Sequence, residues 1–260
     1  MASGRPLAPT AELTQGVARL GHHVLEILLP RVCLVCGAGM RISLGRVCDG
    51  CWARLPRLPA PCCDRCGHPT RGLDCRWCAL LPPYIRAARS LCWERAESTA
   101  QSIVHALKYG GWPSIADEMA ERMARIDWPV DVRRERTALV PVPLASDRLR
   151  ERGFNQSELL ASALGARWQI PTWNGVLSRV RRTPSQTRLT SADRIRNVAG
   201  AFRASASARA ILRGAHVVLV DDVVTTASTL NACAAALYDG GARILSYVTF
   251  ARAPAAGDRC

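Results

Sequence analysis

The stretch from His216 to Leu230, HVVLVDDVVTTASTL, limits the folds open to this chain more than any other. Val217 to Val220 is a run of β-branched and aliphatic residues. It reads as a strand buried on both faces, the habit of a parallel sheet covered by helices. Asp221 and Asp222 follow, then Val223 and Val224, then Thr225, Thr226, Ala227, Ser228 and Thr229. Leu230 to Tyr238 is Ala-rich and favours helix, and Gly240 and Gly241 stop it. Ligands of parallel α/β sheets lie at the carboxyl ends of the strands. A helix N-terminus presents free N–H groups and partial positive charge, which suits a phosphate, and the Thr and Ser hydroxyls add donors. Two adjacent carboxylates repel a bare phosphate but accept hydrogen bonds from sugar hydroxyls. The stretch therefore fits a sugar phosphate, with the phosphate in the loop and the diol on the acids. The plainer reading is a buried strand ending in an acidic turn with a Thr cap. It accounts for each pair of residues singly but not for their order.

The second constraint is a cysteine block. Cys33 and Cys36 form one C-x-x-C, Cys48 and Cys51 a second, Cys63 and Cys66 a third, Cys75 and Cys78 a fourth. A C-x-x-C hairpin aims two thiolates at a point about 2.3 Å from each sulfur, and two hairpins complete a zinc tetrahedron. The simplest pairing puts Cys33, Cys36, Cys48 and Cys51 on one ion and Cys63, Cys66, Cys75 and Cys78 on the other. Neither set leaves an open position, which argues for structural zinc. A redox role lacks a βαβ context, and disulfides lack an export signal at the N-terminus, so the expected compartment is the cytoplasm. The segments between the hairpins are too poor in apolar residues for a core, so zinc is expected to supply much of the folding energy. Cys62 is left over beside Cys63.

At 260 residues the chain can hold one α/β domain and a smaller module. Residues 1–29 read as a tail and a short helix capped by Thr10 or Thr14, residues 30–82 as a double zinc ribbon, and residues 84–254 as the α/β domain, after a Pro-rich junction at Leu80 to Pro83. Expected strands are Arg86 to Trp93, Thr137 to Val142, Asn174 to Val180 and Arg243 to Ala251. Expected helices are Glu97 to Lys108, Ser114 to Arg125 and Ser157 to Trp168. Arg133 to Arg136 reads as a charged turn, Arg148 to Gln156 as a basic loop, and residues 203–214 as a weak helix or irregular link. No segment is apolar for long enough to span a membrane. The net charge is +14, and Lys108 is the only lysine among 35 basic residues. The basic excess peaks in residues 137–200, with ten arginines against four acids. Such charge serves a polyanionic small molecule or nucleic acid, and composition alone does not choose.

Several short motifs share this chain: L-K-Y-G-G at Leu107 to Gly111, V-P-V-P at Val140 to Pro143, R-x-R-G-F-N-Q at Arg150 to Gln156, R-T-P-S-Q-T at Arg182 to Thr187 and R-x-x-N at Arg194 to Asn197. Together with the cysteine ribbons and the hydroxyl loop, over roughly residues 30 to 252, they closely resemble the ComF family of phosphoribosyltransferase-like proteins. The hydroxyl loop by itself resembles the phosphoribosyl-pyrophosphate loop of type I phosphoribosyltransferases, except that Ala227 stands where the loop glycine is usual. Alanine tolerates positive φ less well than glycine. The resemblance implies a type I phosphoribosyltransferase fold, a mostly parallel sheet with helices on both faces, behind a double zinc ribbon. It implies phosphoribosyl pyrophosphate as ligand, with Mg²⁺. Asp221 and Asp222 would hold the ribose, Thr225, Thr226, Ala227, Ser228 and Thr229 the 5′-phosphate, and Arg150, Arg152 and Arg182 the pyrophosphate. Arg181, Arg182 and Arg188 would lie on a loop closing over the site. No residue stands out as a general base, so the acceptor of a phosphoribosyl transfer is unreadable. No glutaminase, Walker A or G-x-G-x-x-G pattern is present. The family is linked to competence, which makes single-stranded DNA or a competence helicase the alternative partners. Trp52, Trp77 and Trp93 could then stack on bases; packing inside the zinc module is the competing reading.

Overall fold

The computed structural model describes residues 31–40, 45–70, 75–181, 198–254 and 258. The expected N-terminal helix, Arg182, Arg188 and the R-T-P-S-Q-T and R-x-x-N motifs lie outside the described residues.

The centre is a four-stranded parallel sheet in the order β1, β6, β5, β2. Its strands are β1 (Ile85–Trp93), β2 (Arg136–Pro141), β5 (His216–Val224) and β6 (Ile244–Arg252). A short antiparallel pair, β3 (Leu177–Arg179) and β4 (Phe202–Ala204), stands apart from it. β5 is central, and Val217 to Val220 are all fully buried. Because side chains alternate, Val218 and Val220 join one core layer while Val217 and Leu219 join the other.

The first face is covered chiefly by α2 (Thr99–Tyr109), α3 (Ile115–Met123) and α6 (Gln156–Trp168). On the second lies α8 (Ser228–Asp239), which buries Leu230, Cys233, Ala234 and Leu237. Ser98 caps α2, its hydroxyl accepting the Gln101 N–H at 3.2 Å, so that helix starts two residues later than its sequence suggested.

Two local expectations are corrected, and a third takes definite form. The charged turn at Arg133 to Arg136 is instead part of a helix, α4 (Val130–Glu135), followed by the start of β2; buried Val132 anchors that helix while its arginines face outward. The basic loop after β2 begins as a seven-residue helix, α5 (Ser146–Arg152), which buries nothing and is ended by Gly153 at φ +81°. The link at 203–214 holds the end of β4, a 3₁₀ turn and the short helix α7 (Arg209–Leu212), pinned by buried Leu212.

The zinc module does not stand free. Val47, Trp52 and Leu55 are each about 5% exposed or less and belong to the first core layer of the sheet, beside Ile103, Met119 and Phe250. Its apolar residues therefore extend the neighbouring core instead of forming one. Only the first C-x-x-C of each cluster is a hairpin knuckle. Cys48 and Cys51 open a helical turn, α1 (Asp49–Ala53), and Cys75 and Cys78 flank and enter a 3₁₀ turn, because one helical turn also brings thiols three residues apart to one side. Among the described residues no helix is long and apolar enough to cross a membrane.

Candidate functional site

All four strands of the sheet run the same way, so their carboxyl ends share one edge. β5 extends past the aliphatic run and carries the acidic pair within its own ladder, Asp221 opposite Thr249 of β6. Past Val224 the chain turns through Thr225 to Ala227 and enters α8. Ala227 is the N-cap residue and sits at φ +58°, ψ +5°, the left-handed region that the usual glycine would occupy without strain. The Thr226 and Ser228 hydroxyls hydrogen-bond each other at 2.7 Å. The first bond of the helix runs from the Asn231 N–H to the Ala227 carbonyl, so the amides before Asn231 stand outside the ladder.

A cleft of about 370 Å³ opens at this edge, lined by Glu94, Lys108, Asp221 and the stretch from Val223 to Leu230. Asp221 and Thr225 to Thr229, expected from the sequence to act together, do share it. Asp222 does not line it: this side chain is 3% exposed and lies behind, clasped by the chain's own groups. Lys108, in the last turn of α2, forms an ion pair with its Oδ2. Gln156 Nε2 donates to its Oδ1 at 3.2 Å, and Ser157 Oγ donates to Asp221 Oδ1 at 2.8 Å.

The R-x-R-G-F-N-Q motif explains how these donors arrive. Gly153 ends α5, and Asn155 caps α6 by accepting the Ser157 N–H at 3.1 Å while donating to the Val142 carbonyl at 3.0 Å. That cap fixes the first turn of α6 against the end of β2 and aims Gln156 and Ser157 at the acids. Lys108, Gln156, Ser157 and Glu94 were not among the sequence candidates. For Lys108 a signal existed: a lone lysine among 34 arginines.

Burial pushes the Asp221 carboxyl up, to about 7, with the charge of Asp222 adding to it. Burial works on Asp222 in the same sense, but the Lys108 ammonium outweighs it and holds that carboxyl below its usual value. One acid is thus a charged partner of Lys108 and the other faces the cleft in a protonation state set near neutrality.

The arginine candidates separate. Arg152 is held inward, donating to Gln156 Oε1 at 2.5 Å with its guanidinium 5.1 Å from the Tyr109 ring centre. Arg150 is exposed on α5. Arg181 is exposed and donates to the Ala199 carbonyl at 2.8 Å.

Each cysteine quartet has its four sulfurs within 4.8 Å of one another, in the grouping read from the sequence. Sγ separations are 3.8 Å for Cys33–Cys51, 3.7 Å for Cys36–Cys48, and 3.3 Å for both Cys63–Cys78 and Cys66–Cys75. A zinc tetrahedron with 2.3 Å bonds has edges of about 3.8 Å, so both quartets fit structural zinc. Trp52 and Trp93 are buried, which leaves neither open to a base, and Trp77, half-buried, lies against His68 with ring centres 4.9 Å apart.

Comparison with known proteins agrees with this layout. A family profile described as "Double zinc ribbon domain" matches residues 24–81, and one described as "Phosphoribosyl transferase domain" matches residues 149–259. The chain is 34% identical over 231 residues to the DNA utilization protein YhgH of Salmonella typhimurium, covering 83% of this chain and 94% of that one. It is 29% identical to Competence protein F of Haemophilus influenzae, over 76% and 87% of the two chains, and 27% identical to Competence protein ComFC of Bacillus subtilis, over 75% and 79%. With both modules in the same order and relatives matched over nearly their whole length, this chain belongs to the ComF family of phosphoribosyltransferase-like proteins with an N-terminal double zinc ribbon.

Proposed function

We propose that the cleft at the end of β5 binds phosphoribosyl pyrophosphate. The observation that carries this reading is the shared cleft itself. A half-buried carboxylate, a turn of hydroxyls at a helix N-terminus and a lysine face one volume at the carboxyl edge of a parallel sheet. A phosphate takes the turn, where hydroxyls and amides donate to it. Ribose hydroxyls donate to Asp221. The pyrophosphate lies towards Lys108, with Arg152 next to it. If transfer follows, an acceptor nucleophile attacks the anomeric carbon as pyrophosphate leaves, and cationic side chains stabilise the departing charge. The acid pair does not fit a divalent ion held by the protein, because Lys108 and Gln156 already occupy both oxygens of Asp222. Mg²⁺ enters this reading only as an ion carried on the ligand's own pyrophosphate.

Calorimetric titration tests the reading, with ribose 5-phosphate and inorganic pyrophosphate as partial ligands. Phosphoribosyl pyrophosphate should bind at least tenfold tighter than either. Asp221→Asn should weaken it about tenfold, one hydrogen bond to a charged group. No binding of the full ligand overturns the proposal.

A second reading, nucleic-acid binding, is favoured by a different feature. A groove of about 420 Å³ between the second ribbon and α3 is lined by Arg57, Arg89, Arg122 and Arg125 as well as Asp64 and Asp127. The relatives' names, with their reference to DNA utilization and competence, agree with it. Single-stranded DNA bound there should show a steep salt dependence that flattens by about one charge for each of Arg57→Ala and Arg125→Ala. A salt slope unchanged in both variants removes the groove from consideration.

A further inference from the structure

The acidic pair of a phosphoribosyl-pyrophosphate site would ordinarily be read as a place for a divalent cation. Here its charge is met from within the chain. Lys108 Nζ contacts Asp222 Oδ2, and the two side chains are 22% and 4% exposed. Gln156 Nε2 holds Asp222 Oδ1 at 3.2 Å. Asp221 Oδ1 accepts from Ser157 Oγ at 2.8 Å and from the Asp222 N–H at 2.9 Å. Three of the four carboxylate oxygens thus have partners, and one partner is a full positive charge. Mg²⁺ requires near-octahedral oxygen ligands at about 2.1 Å and tolerates no ammonium in that shell. An ion placed on Asp222 must first expel Lys108 from a nearly closed position.

Lys108 also lines the cleft, so its ammonium can reach the acid behind and an anion in front with different N–H donors. An ammonium is a compact point charge and fits between two such groups, where a planar guanidinium would not. We infer that Lys108 is the resident cation of this site: it stands between Asp222 and the ligand's pyrophosphate, and the acid pair binds no divalent ion of its own. The inference rests on the ligand reading above for the anion, but not for the occupancy of Asp222. In support, burial works to lower the proton affinity of Lys108, and the charge of Asp222 with its hydrogen bond raises it above the usual value.

The test uses the zinc-loaded full chain with Mn²⁺ as the probe, followed by electron paramagnetic resonance, with no phosphoribosyl pyrophosphate present. Wild type should bind no Mn²⁺ at the acids at millimolar concentration. Lys108→Gln, which frees Asp222, should gain a Mn²⁺ site at least tenfold tighter, and adding Asp222→Asn should remove it. Mn²⁺ binding by wild type that is lost in Asp222→Asn overturns the inference, as does a folded Lys108→Gln with no gain. If Lys108→Gln does not fold, wild type and Asp222→Asn decide: no Mn²⁺ bound by wild type at millimolar concentration upholds the inference, and Mn²⁺ bound by wild type and lost in Asp222→Asn overturns it. Phosphoribosyl pyrophosphate is titrated separately with Mg²⁺ present; absence of binding there overturns the ligand reading instead, and the Mn²⁺ result then stands on its own.

Discussion

The two zinc ribbons begin as near copies and end up doing different jobs. Thirty residues apart, they repeat the same knuckle: a bridge between Val32 and Gly39 in one and Cys62 and Pro69 in the other, with Gly37 and Gly67 both at positive φ. The Cys33 N–H bonds the Ala38 carbonyl at 2.9 Å as the Cys63 N–H bonds that of His68, also at 2.9 Å. The docking differs. The first ribbon inserts apolar side chains. Trp52 meets the edge of Phe250 with ring centres 6.2 Å apart and lies under the guanidinium of Arg122. One carboxylate, Glu118, accepts from the Arg46 N–H at 2.6 Å and the Trp52 indole at 3.3 Å, over Gly45, where a Cβ would sit 2.8 Å from it. The second ribbon docks through polar groups. Arg65 donates to the carbonyls of Cys78, Leu81, Pro82 and Ile85, and Arg252 of β6 donates to that of Cys66 at 2.6 Å. Gly67 presses on the backbone of β1 so closely that a Cβ would lie 2.5 Å from the Ala88 carbonyl. This ribbon also faces the hydroxyl turn: His68 and Trp77 share a small cavity with Thr225, Thr226 and Ala227. One knuckle design therefore covers the sheet core in one copy and backs the hydroxyl turn in the other.

Loss of metal tests this contrast most severely. Cys33→Ser with Cys51→Ser should leave one zinc per chain by metal analysis and cost several kcal/mol, because Trp52 and Leu55 lose their place over the core. Cys63→Ser with Cys78→Ser should also leave one zinc but lower the unfolding temperature less, while weakening phosphoribosyl pyrophosphate more. Equal thermal losses from the two pairs would break the comparison.

Acid provides a reference that neither ribbon controls. His216, 2% exposed on β5, bonds Ser246 at 2.9 Å, and burial lowers its imidazole to about 4. Its neutral form is favoured in the fold, so the contribution is present above the unfolded value near 6.5 and is lost as pH falls from there to about 4. The loss is on the order of 3 kcal/mol. Asp221, raised to about 7, gains stability as the pH falls through the same window and opposes this loss, so the measure is a difference: denaturant melts of wild type and His216→Gln should diverge as the pH falls from about 6.5 to 4, and by the same amount in both ribbon variants.

Single docking contacts should have smaller effects. Glu118→Ala strands a backbone N–H and an indole N–H and should cost about 2 kcal/mol in global stability by chemical denaturation. Arg65→Ala should cost less globally, yet expose the second ribbon to hydrogen exchange while the first stays protected. Smallest of all, Ala227→Gly relieves a left-handed alanine at about 1–2 kcal/mol and adds chain entropy worth about 0.5–1. The net gain should be near half a kcal/mol, seen as a rise of one or two degrees in the unfolding midpoint.

Much of this was legible in local order. The aliphatic run of β5, the acids, the hydroxyl turn and the helix after it are consecutive, and a backbone that alternates or coils places consecutive residues predictably. The cysteine quartets were legible for the same reason, since each C-x-x-C is a local device. The charged segment at Val130–Glu135 misled because two arginines hid a single buried valine, and α5 because an exposed short helix has no apolar stripe to announce it.

What only the tertiary structure decided is which local devices meet. Lys108, Gln156 and Ser157 come from two helices, 114, 66 and 64 residues before the acids they contact, brought there by the order of a parallel sheet. The sequence by itself determined that two acids stand at a strand end beside a turn of hydroxyls at a helix N-terminus. Their split into a cleft-facing Asp221 and an Asp222 neutralised by Lys108 depends on burial and on a charge from another element. Neither is a property of neighbours along the chain.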